Sequence, residues 1–321
     1  MRAWVARAYG GPEVLTMREV PRPKPGAREL LIRVEATTVS AADIRIRSLD
    51  FPKGLGWIGR LLFGMRRPRR AVLGVEVTGI VAAIGAQVSR FAVGDAVIAF
   101  PGAQLGAHAE YVVVADRRPI VRRPAAMPIE TAAALAFGGL TARDFLRRAA
   151  VQPGEHVLVI GASGTVGSAL VQLARDAGAE VAGVASAANL ERVRGLGAVN
   201  VIDYTRCDVT EAGVLYDIVA DAVGALNFPR ALPILAEGGR YLAINGTVGD
   251  MLRRSHGSRR SIAGPSAERE DDLAALVALA LEDRFQPLID SVVGFEAMAA
   301  AHAKADSRRK RGSIVVRCDT A

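Results

Sequence analysis

Residues 156–186, HVLVIGASGTVGSALVQLARDAGAEVAGVAS, constrain this chain more than any other stretch. An apolar run from His156 to Ile160 reads as a buried strand. It leads into a glycine-bearing turn, a helix-period run ending at Gly178, and a second apolar strand ending at Ser186. Strand, glycine turn, helix and strand in that order and length make one βαβ unit. The turn, Ala162-Ser163-Gly164-Thr165-Val166-Gly167, follows the G-x-G-x-x-G fingerprint of dinucleotide sites except that Ala162, preceded by Gly161, holds the first position. Gly164 and Gly167 stand in register. The helix N-terminus can therefore offer amide N–H groups and its positive dipole end to a pyrophosphate. A structural glycine turn without ligand is the alternative, which the strand–turn–helix–strand context disfavours.

The 321 residues suffice for about two domains. Half are hydrophobic, yet no apolar run reaches the roughly eighteen residues of a membrane span, so a soluble protein without a membrane role is expected. The N-terminus, MRAWVARAYGG, turns at once into a strand-like pattern and shows no signal-peptide or transit pattern, which points to a cytoplasmic location. The two cysteines, Cys207 and Cys318, lie far apart, and the four histidines, His108, His156, His256 and His302, lack ligand spacing. Neither a disulfide framework nor a zinc site is supported, and each histidine by itself reads as core or surface. The net charge of +8 gathers in arginine clusters at 60–70, 253–260 and 308–311. With aromatic residues at 5% and no helix-turn-helix, zinc-finger or RRM signature, nucleic-acid binding is not expected. Such clusters serve to raise local anion concentration, or are solvated loops.

From residue 1 to about 124 the pattern is mostly β, with strands expected at Ala3–Tyr9, Val14–Val20, Glu29–Ser40, Val75–Gly85, Asp95–Phe100 and His108–Ala115. Ala41–Ser48 reads as a short helix. Residues 51–70 read as an irregular Gly- and Arg-rich insertion with apolar residues Trp57, Ile58, Leu61, Leu62 and Phe63, either a mobile lid near a site or an apolar surface element packed on a partner. Beyond it, 125–266 alternates helix and strand: helices at 128–150, Asn189–Leu196 and Asn227–Leu235, strands at Asn200–Tyr204, Tyr216–Val223, Arg240–Asn245 and Ser261–Gly264. Alternation of this kind implies a doubly wound parallel sheet covered on both faces, with its ligand crevice at the carboxyl ends of the strands. The remainder, 267–321, has no place in a six-stranded sheet and is expected to return to the first domain.

GVEVTG at 74–79, FAVGDAV at 91–97, AEYVVV at 109–114, FGGLTA at 137–142, GASGTVG at 161–167, LGAVNVIDY at 196–204 and DAVG at 221–224 occur in this order. Together they resemble the medium-chain dehydrogenase/reductase superfamily, and within it the zinc-independent quinone oxidoreductase branch that includes zeta-crystallin. The resemblance implies an α/β fold with a β-rich GroES-like catalytic domain and a Rossmann domain. It also implies hydride transfer from a nicotinamide to a quinone or activated α,β-unsaturated carbonyl, and a homodimer. Zinc dehydrogenases of the superfamily carry cysteine and histidine where this chain has Ser40 and Val75, while Asp43 and Glu76 remain. The four-cysteine lobe is missing as well, so no metal is expected.

An NAD site places a carboxylate at the end of the second strand to bind the ribose 2′-OH. Here that strand ends at Ser186, with no carboxylate to repel a 2′-phosphate, and NADPH is the expected cofactor. By resemblance, Asn189 occupies the position where relatives place a cation, with Arg192 one turn on as compensation or as an ordinary solvated arginine. The resemblance also brings Tyr204 and Gly224 to the adenosine side, and Thr141, Asn245 and Gly246 to the nicotinamide side. Ser40, Arg45 and Thr141 are the candidate donors to the oxyanion that develops on the substrate. An electron-poor acceptor needs little further help, since proximity and orientation alone supply about 7–11 kcal/mol. The alternatives are a nucleotide-binding sensor or scaffold, and an enoyl-reductase-like biosynthetic enzyme.

Overall fold

The computed structural model describes residues 1–51, 56–252, 255–307 and 310–318. Among these residues two seven-stranded sheets organise the fold, beside a separate two-stranded sheet formed by the first two strands. The first domain contributes β1 (Arg2–Ala6), β2 (Leu15–Glu19), β3 (Glu29–Val39), β4 (Val77–Ile84), β5 (Ala96–Ala99), β6 (Tyr111–Ala115) and β7 (Ile120–Arg122), with helices α1 (Ala41–Ser48) and α2 (Gly56–Phe63) between β3 and β4. The long strand β3 is its spine. Its outer half pairs antiparallel with β6, its inner half with a strand from the far end of the chain, and most of its length with β4. Eight of its eleven residues are buried, which accounts for its near-continuous apolar run LLIRVEATTV.

The second domain begins with α3 (Ile129–Ala134) and α4 (Ala136–Ala149). There follow β8 (His156–Ile160), α5 (Thr165–Asp176), β9 (Glu180–Ala185), α6 (Leu190–Gly195), β10 (Asn200–Asp203), β11 (Tyr216–Asp221), α7 (Phe228–Ala231), β12 (Leu235–Ala243), α8 (Val248–Leu252), β13 (Ser255–His256) and β14 (Arg259–Ala263). The strand order is β10-β9-β8-β11-β12-β14-β13, parallel throughout except for β13. This is the doubly wound parallel sheet that the alternating pattern predicts. Three details differ from expectation, the first being that the helix expected at 128–150 divides into α3 and α4 at Leu135. The helix expected over Asn227–Leu235 shortens to α7 and a 3-10 turn at Leu232–Ile234, because Pro229 and Pro233 remove backbone donors and restrict the residues before them. Strand β12 therefore starts at Leu235 and ends at Ala243, leaving Asn245 in the loop beyond it. The sheet also has a seventh strand among the described residues, because β13 turns back on β14 as a two-residue hairpin arm.

After β14, α9 (Glu270–Leu281) packs against both α4 and β7, at the junction of the domains. Then β15 (Ile289–Gly294), α10 (Met298–Asp306) and β16 (Ser313–Arg317) rejoin the first sheet, β16 pairing with β3 and β15 with β16. A single apolar cluster runs through both domains, from Trp4 and Leu30 to Leu170 and Val316. The two sheets are thus held against one another by core packing.

Candidate active site

The glycine turn between β8 and α5 shows why its residues are what they are. Gly161 has φ +79° and its N–H, like that of Ala162, donates to the carbonyl of Val184. The left-handed residue is therefore Gly161, and Ala162, fully buried, needs no glycine. A Cβ on Gly167 would lie 2.0 Å from the Gly161 carbonyl oxygen, so no side chain fits there. A Cβ on Gly164 would meet nothing closer than 3.4 Å, and its role is to leave room at the mouth of the turn. With Ser163 and Val166 between them, the three glycines and the first turn of α5 leave a cradle of backbone that suits a dinucleotide pyrophosphate.

Helix α4 crosses this cradle. At Gly138 a Cβ would come within 2.6 Å of the Thr165 carbonyl, and at Gly139 within 2.7 Å of Leu276 on α9. The paired glycines of the FGGLTA motif thus let α4 lie close to α5 on one side and α9 on the other. Thr141, three residues on, donates its hydroxyl to the Phe137 carbonyl at 2.8 Å and keeps its oxygen lone pairs for a ligand.

A residue that the sequence reading passed over completes the cradle. Lys310 reaches from the segment before β16 and donates to Thr165 Oγ1 at 2.9 Å and the Gly312 carbonyl at 3.0 Å. Burial pushes its ammonium below the ordinary lysine range, while Glu76, Asp290 and Asp43 act against that shift. A cation at a helix N-terminus is electrostatically misplaced unless an anion joins it. Lys310 lay hidden in an arginine tract, and only a contact across 145 positions of sequence sets it on the glycine turn.

At the end of β9, Asn189 Nδ2 donates to Ser186 Oγ at 2.9 Å, while Asn189 Oδ1 is buried without a partner. Turning the amide over would let Ser186 donate to Oδ1 and leave the NH₂ unpaired instead. Either way one buried polar atom here awaits a ligand. Arg192 is exposed on α6, and Tyr204 is 62% exposed beyond β10, its N–H held by the Ala185 carbonyl. Gly224, at φ +75°, lies beside Asn245, whose Nδ2 donates to the Val223 carbonyl; Gly246 follows, its N–H held by the Ala243 carbonyl. The fold thus gathers Ser186, Asn189 and Tyr204 at one group of strand ends, and Gly224, Asn245 and Gly246 at another.

On the first-domain side, Ser40 caps α1. Its hydroxyl donates to Asp43 Oδ2 at 2.6 Å and accepts from the Asp43 N–H at 3.3 Å. Asp43 Oδ2 also accepts from Ser40 N, and Oδ1 from the Gly74 N–H at 2.8 Å. Asp43 is thus a buried tie between α1 and the segment leading to Val75 and Glu76. The Ser40 proton is engaged by Asp43 as the Thr141 proton is by the Phe137 carbonyl, so the structure leaves neither of these two expected donors a free proton. Arg45 lies elsewhere: its guanidinium donates to Asn245 Oδ1 across the two domains.

Glu76 is fully buried, accepting from Thr38 Oγ1 and, at 2.7 Å, from the Phe137 N–H in the first turn of α4. Burial pushes its carboxyl up to about 7 against those two hydrogen bonds. Thr38 also joins a second buried group. His108 Nε2 meets the Thr38 carbonyl at 3.0 Å, and His108 and His302 sit edge to face, ring nitrogens 3.5 Å apart. The guanidinium of Arg47 contacts His302 Nδ1 at 3.1 Å and ends on Asp306 at 2.6 Å. Both histidines are core residues, but as a pair rather than singly, a pairing that joins positions 108 and 302 and has no local signal.

Fold and site define a two-domain, dinucleotide-dependent oxidoreductase in which Arg45 of a GroES-like domain meets Asn245 of a Rossmann-type domain. Family models for the alcohol dehydrogenase GroES-like domain match residues 26–125 and for zinc-binding dehydrogenase residues 196–316; the NAD dependent epimerase/dehydratase family matches 157–226. Quinone oxidoreductase of Homo sapiens is 31% identical over 94% of this chain and 93% of its own length. The chloroplastic NADPH-dependent alkenal/one oxidoreductase of Arabidopsis thaliana is 31% identical over 77% of this chain, a match spanning 63% of that longer protein. The quinone oxidoreductase structure from Coxiella burnetii superposes with a TM-score of 0.87 over 99% of both chains at 26% identity. The chain belongs to the medium-chain dehydrogenase/reductase superfamily and is quinone oxidoreductase-like.

Zinc, which one family description names, does not suit the residues found here. Position 40 offers a hydroxyl already bonded to Asp43, position 75 a buried valine, and no group of three or more His, Cys, Asp or Glu among the described residues is arranged to hold a metal.

Proposed function

We propose that the protein is a zinc-independent, NADPH-dependent reductase of quinones or activated α,β-unsaturated carbonyls. The observation that carries this reading is the end of β9. Ser186 stands there accepting from Asn189 Nδ2, with its own hydroxyl proton free to meet a 2′-phosphate, and the end of β9 carries no carboxylate where an NAD site has one, although Asp203 from β10 accepts from the neighbouring Ala187 N–H. Similarity to quinone and alkenal/one oxidoreductases supports the choice of acceptor.

Bound NADPH supplies a hydride. The protein's residues do the rest. The amides of Thr165, Val166 and Gly167, with Lys310, would hold the pyrophosphate, the Gly164 N–H being taken by the Gly161 carbonyl; Ser186, Asn189 and Arg192 would meet the 2′-phosphate, with Tyr204 and Gly224 on the adenosine side. Thr141, Asn245 and Gly246 border the nicotinamide. Arg45, whose guanidinium reaches Asn245 of the second domain, provides the donor to the oxygen on which negative charge grows, and it must leave Asn245 or share its guanidinium to do so. Asp43 and Ser40 fix α1, and so aim Arg45.

The test is oxidation of NADPH and NADH with a panel of simple quinones, enones and aldehydes, beside a metal assay of the purified protein. Faster turnover with NADPH, in protein free of stoichiometric zinc, is the expected result. Tight NADPH binding without turnover on any acceptor would point to a sensor or scaffold, and a thioester-linked enoyl substrate that outcompetes free quinones would point to a biosynthetic reductase.

A further inference from the structure

The insertion between α1 and β4 is pinned on one side and bare on the other. Within α2, Gly59 takes the ring of Phe51 in the place of a side chain, and Phe63 stacks on Phe51 with centroids 5.9 Å apart. Behind the helix, Tyr9 donates to the Gly64 carbonyl at 2.8 Å and the Arg69 N–H to the Phe63 carbonyl at 2.7 Å. With that inner face satisfied, the apolar residues on the outer face have no core to join. Trp57 is 67% exposed, and Leu61, Leu62 and Met65 are more than half exposed. Trp57 and Leu61, four residues apart on a helix, form one contiguous ridge.

The charged residues of the helix and of the turn after it are all basic, Arg60 and Arg69 reaching toward Tyr9 and Arg60 donating to the Met65 carbonyl. Arg60 lies on the helix and Arg66, Arg67 and Arg69 in the turn that follows, all exposed, and none forms an ion pair among the described residues. Two occupants are disfavoured by this. A second copy placed by twofold symmetry would set arginines against arginines on a chain of net charge +8. A fold-back onto the candidate active site would have to break the anchored inner face. An exposed tryptophan–leucine ridge continuous with a turn rich in exposed arginines matches an anionic lipid surface, where the aromatic ring seats at the headgroup level and guanidinium groups meet phosphate.

We propose that the outer face of α2 and the turn after it form an interfacial segment that docks the protein on anionic phospholipid bilayers. The segment rests on the surface without spanning it: no helix among the described residues is long and apolar enough to cross a membrane. The proposal is independent of the hydride chemistry. It departs from the absence of a membrane role expected from composition alone.

The experiment is co-sedimentation of the purified full chain with phosphatidylcholine vesicles and with vesicles in which a quarter of the lipid is phosphatidylglycerol. Only the second should bind, and raising the salt should weaken binding. Trp57 is its own reporter. The only other tryptophan, Trp4, is 8% exposed and hydrogen-bonded to the Phe295 carbonyl. A blue shift of the emission on vesicle addition therefore tracks Trp57. Trp57→Ser with Leu61→Ser, and separately Arg66→Glu with Arg67→Glu, should each lower the partition coefficient by roughly ten-fold or more. Thermal unfolding of each variant checks that it remains folded. No binding to either vesicle, unchanged binding in the folded variants, or a vesicle-independent oligomer that the Trp57/Leu61 variant abolishes would each overturn the proposal.

Discussion

Individual side chains decide which nucleotide is held and how firmly. Asn189 occupies a place where a cation would meet the 2′-phosphate, and a charge-assisted hydrogen bond is worth about 1.5–3 kcal/mol. Asn189→Arg should therefore raise the NADPH over NADH ratio of kcat/KM by roughly ten- to a hundred-fold, mostly through KM for NADPH. Lys310 behaves differently, because both nicotinamides share the pyrophosphate. Lys310→Met should weaken NADPH and NADH alike by about ten-fold or more, measured by fluorescence titration, with little change in their ratio. A ratio that moved with Lys310 and not with Asn189 would exchange the roles assigned to them. Arg45→Ala should lower kcat with an electron-rich enone more than with a simple quinone, since the poorer acceptor depends more on a donor at its oxygen.

Helices and strands matter here for where their ends fall. Helix α4 must pass close to the N-terminus of α5, and Gly138 is the residue that permits it. Gly138→Ala should cost about 1–3 kcal/mol by urea unfolding and displace Thr165 enough to weaken dinucleotide binding. Such an effect has a visible local source, for the FGGLTA motif and the glycine turn are short patterns whose spacing speaks directly. Much of the fold was legible for the same reason. Apolar runs bounded by glycines placed β8, α5 and β9 within a residue or two, and the absence of a carboxylate at Ser186 could be read by counting along one strand. Lys310, the His108–His302 pair and the Arg45–Asn245 bridge could not. Each joins positions roughly 150 to 200 apart, and nothing in periodicity or spacing says which distant residues a fold will oppose. The shortening of α7 was legible in principle, since Pro229 and Pro233 stand in plain view, but the apolar pattern of that stretch pointed the other way.

For the molecule as a whole, two buried groups set opposite pH dependences. Burial, with His108 and Arg47 beside it, holds the His302 imidazole well below its ordinary range. The unfolded chain then takes up the proton first, so stability is lost as pH falls below about 6.5. Glu76, pushed up to about 7, works in reverse: its contribution is present below about 4.5 and is lost as pH rises toward 7. Glu76→Gln should remove that second loss, so its stability relative to the parent should rise across this window with a slope of up to about 1.4 kcal/mol per pH unit. A difference flat with pH in chemical unfolding would contradict it. The path of the chain has a consequence of another kind. Residues 125–263 fold within one contiguous stretch, but β3 is bordered by β16, so its inner edge stays open until residues 313–317 have left the ribosome. During synthesis the nucleotide sheet can form while an apolar eleven-residue strand upstream still exposes unpaired amides. Translation stalled shortly before β16 should leave the nascent chain dependent on holding chaperones, with the risk concentrated in the half that was made first.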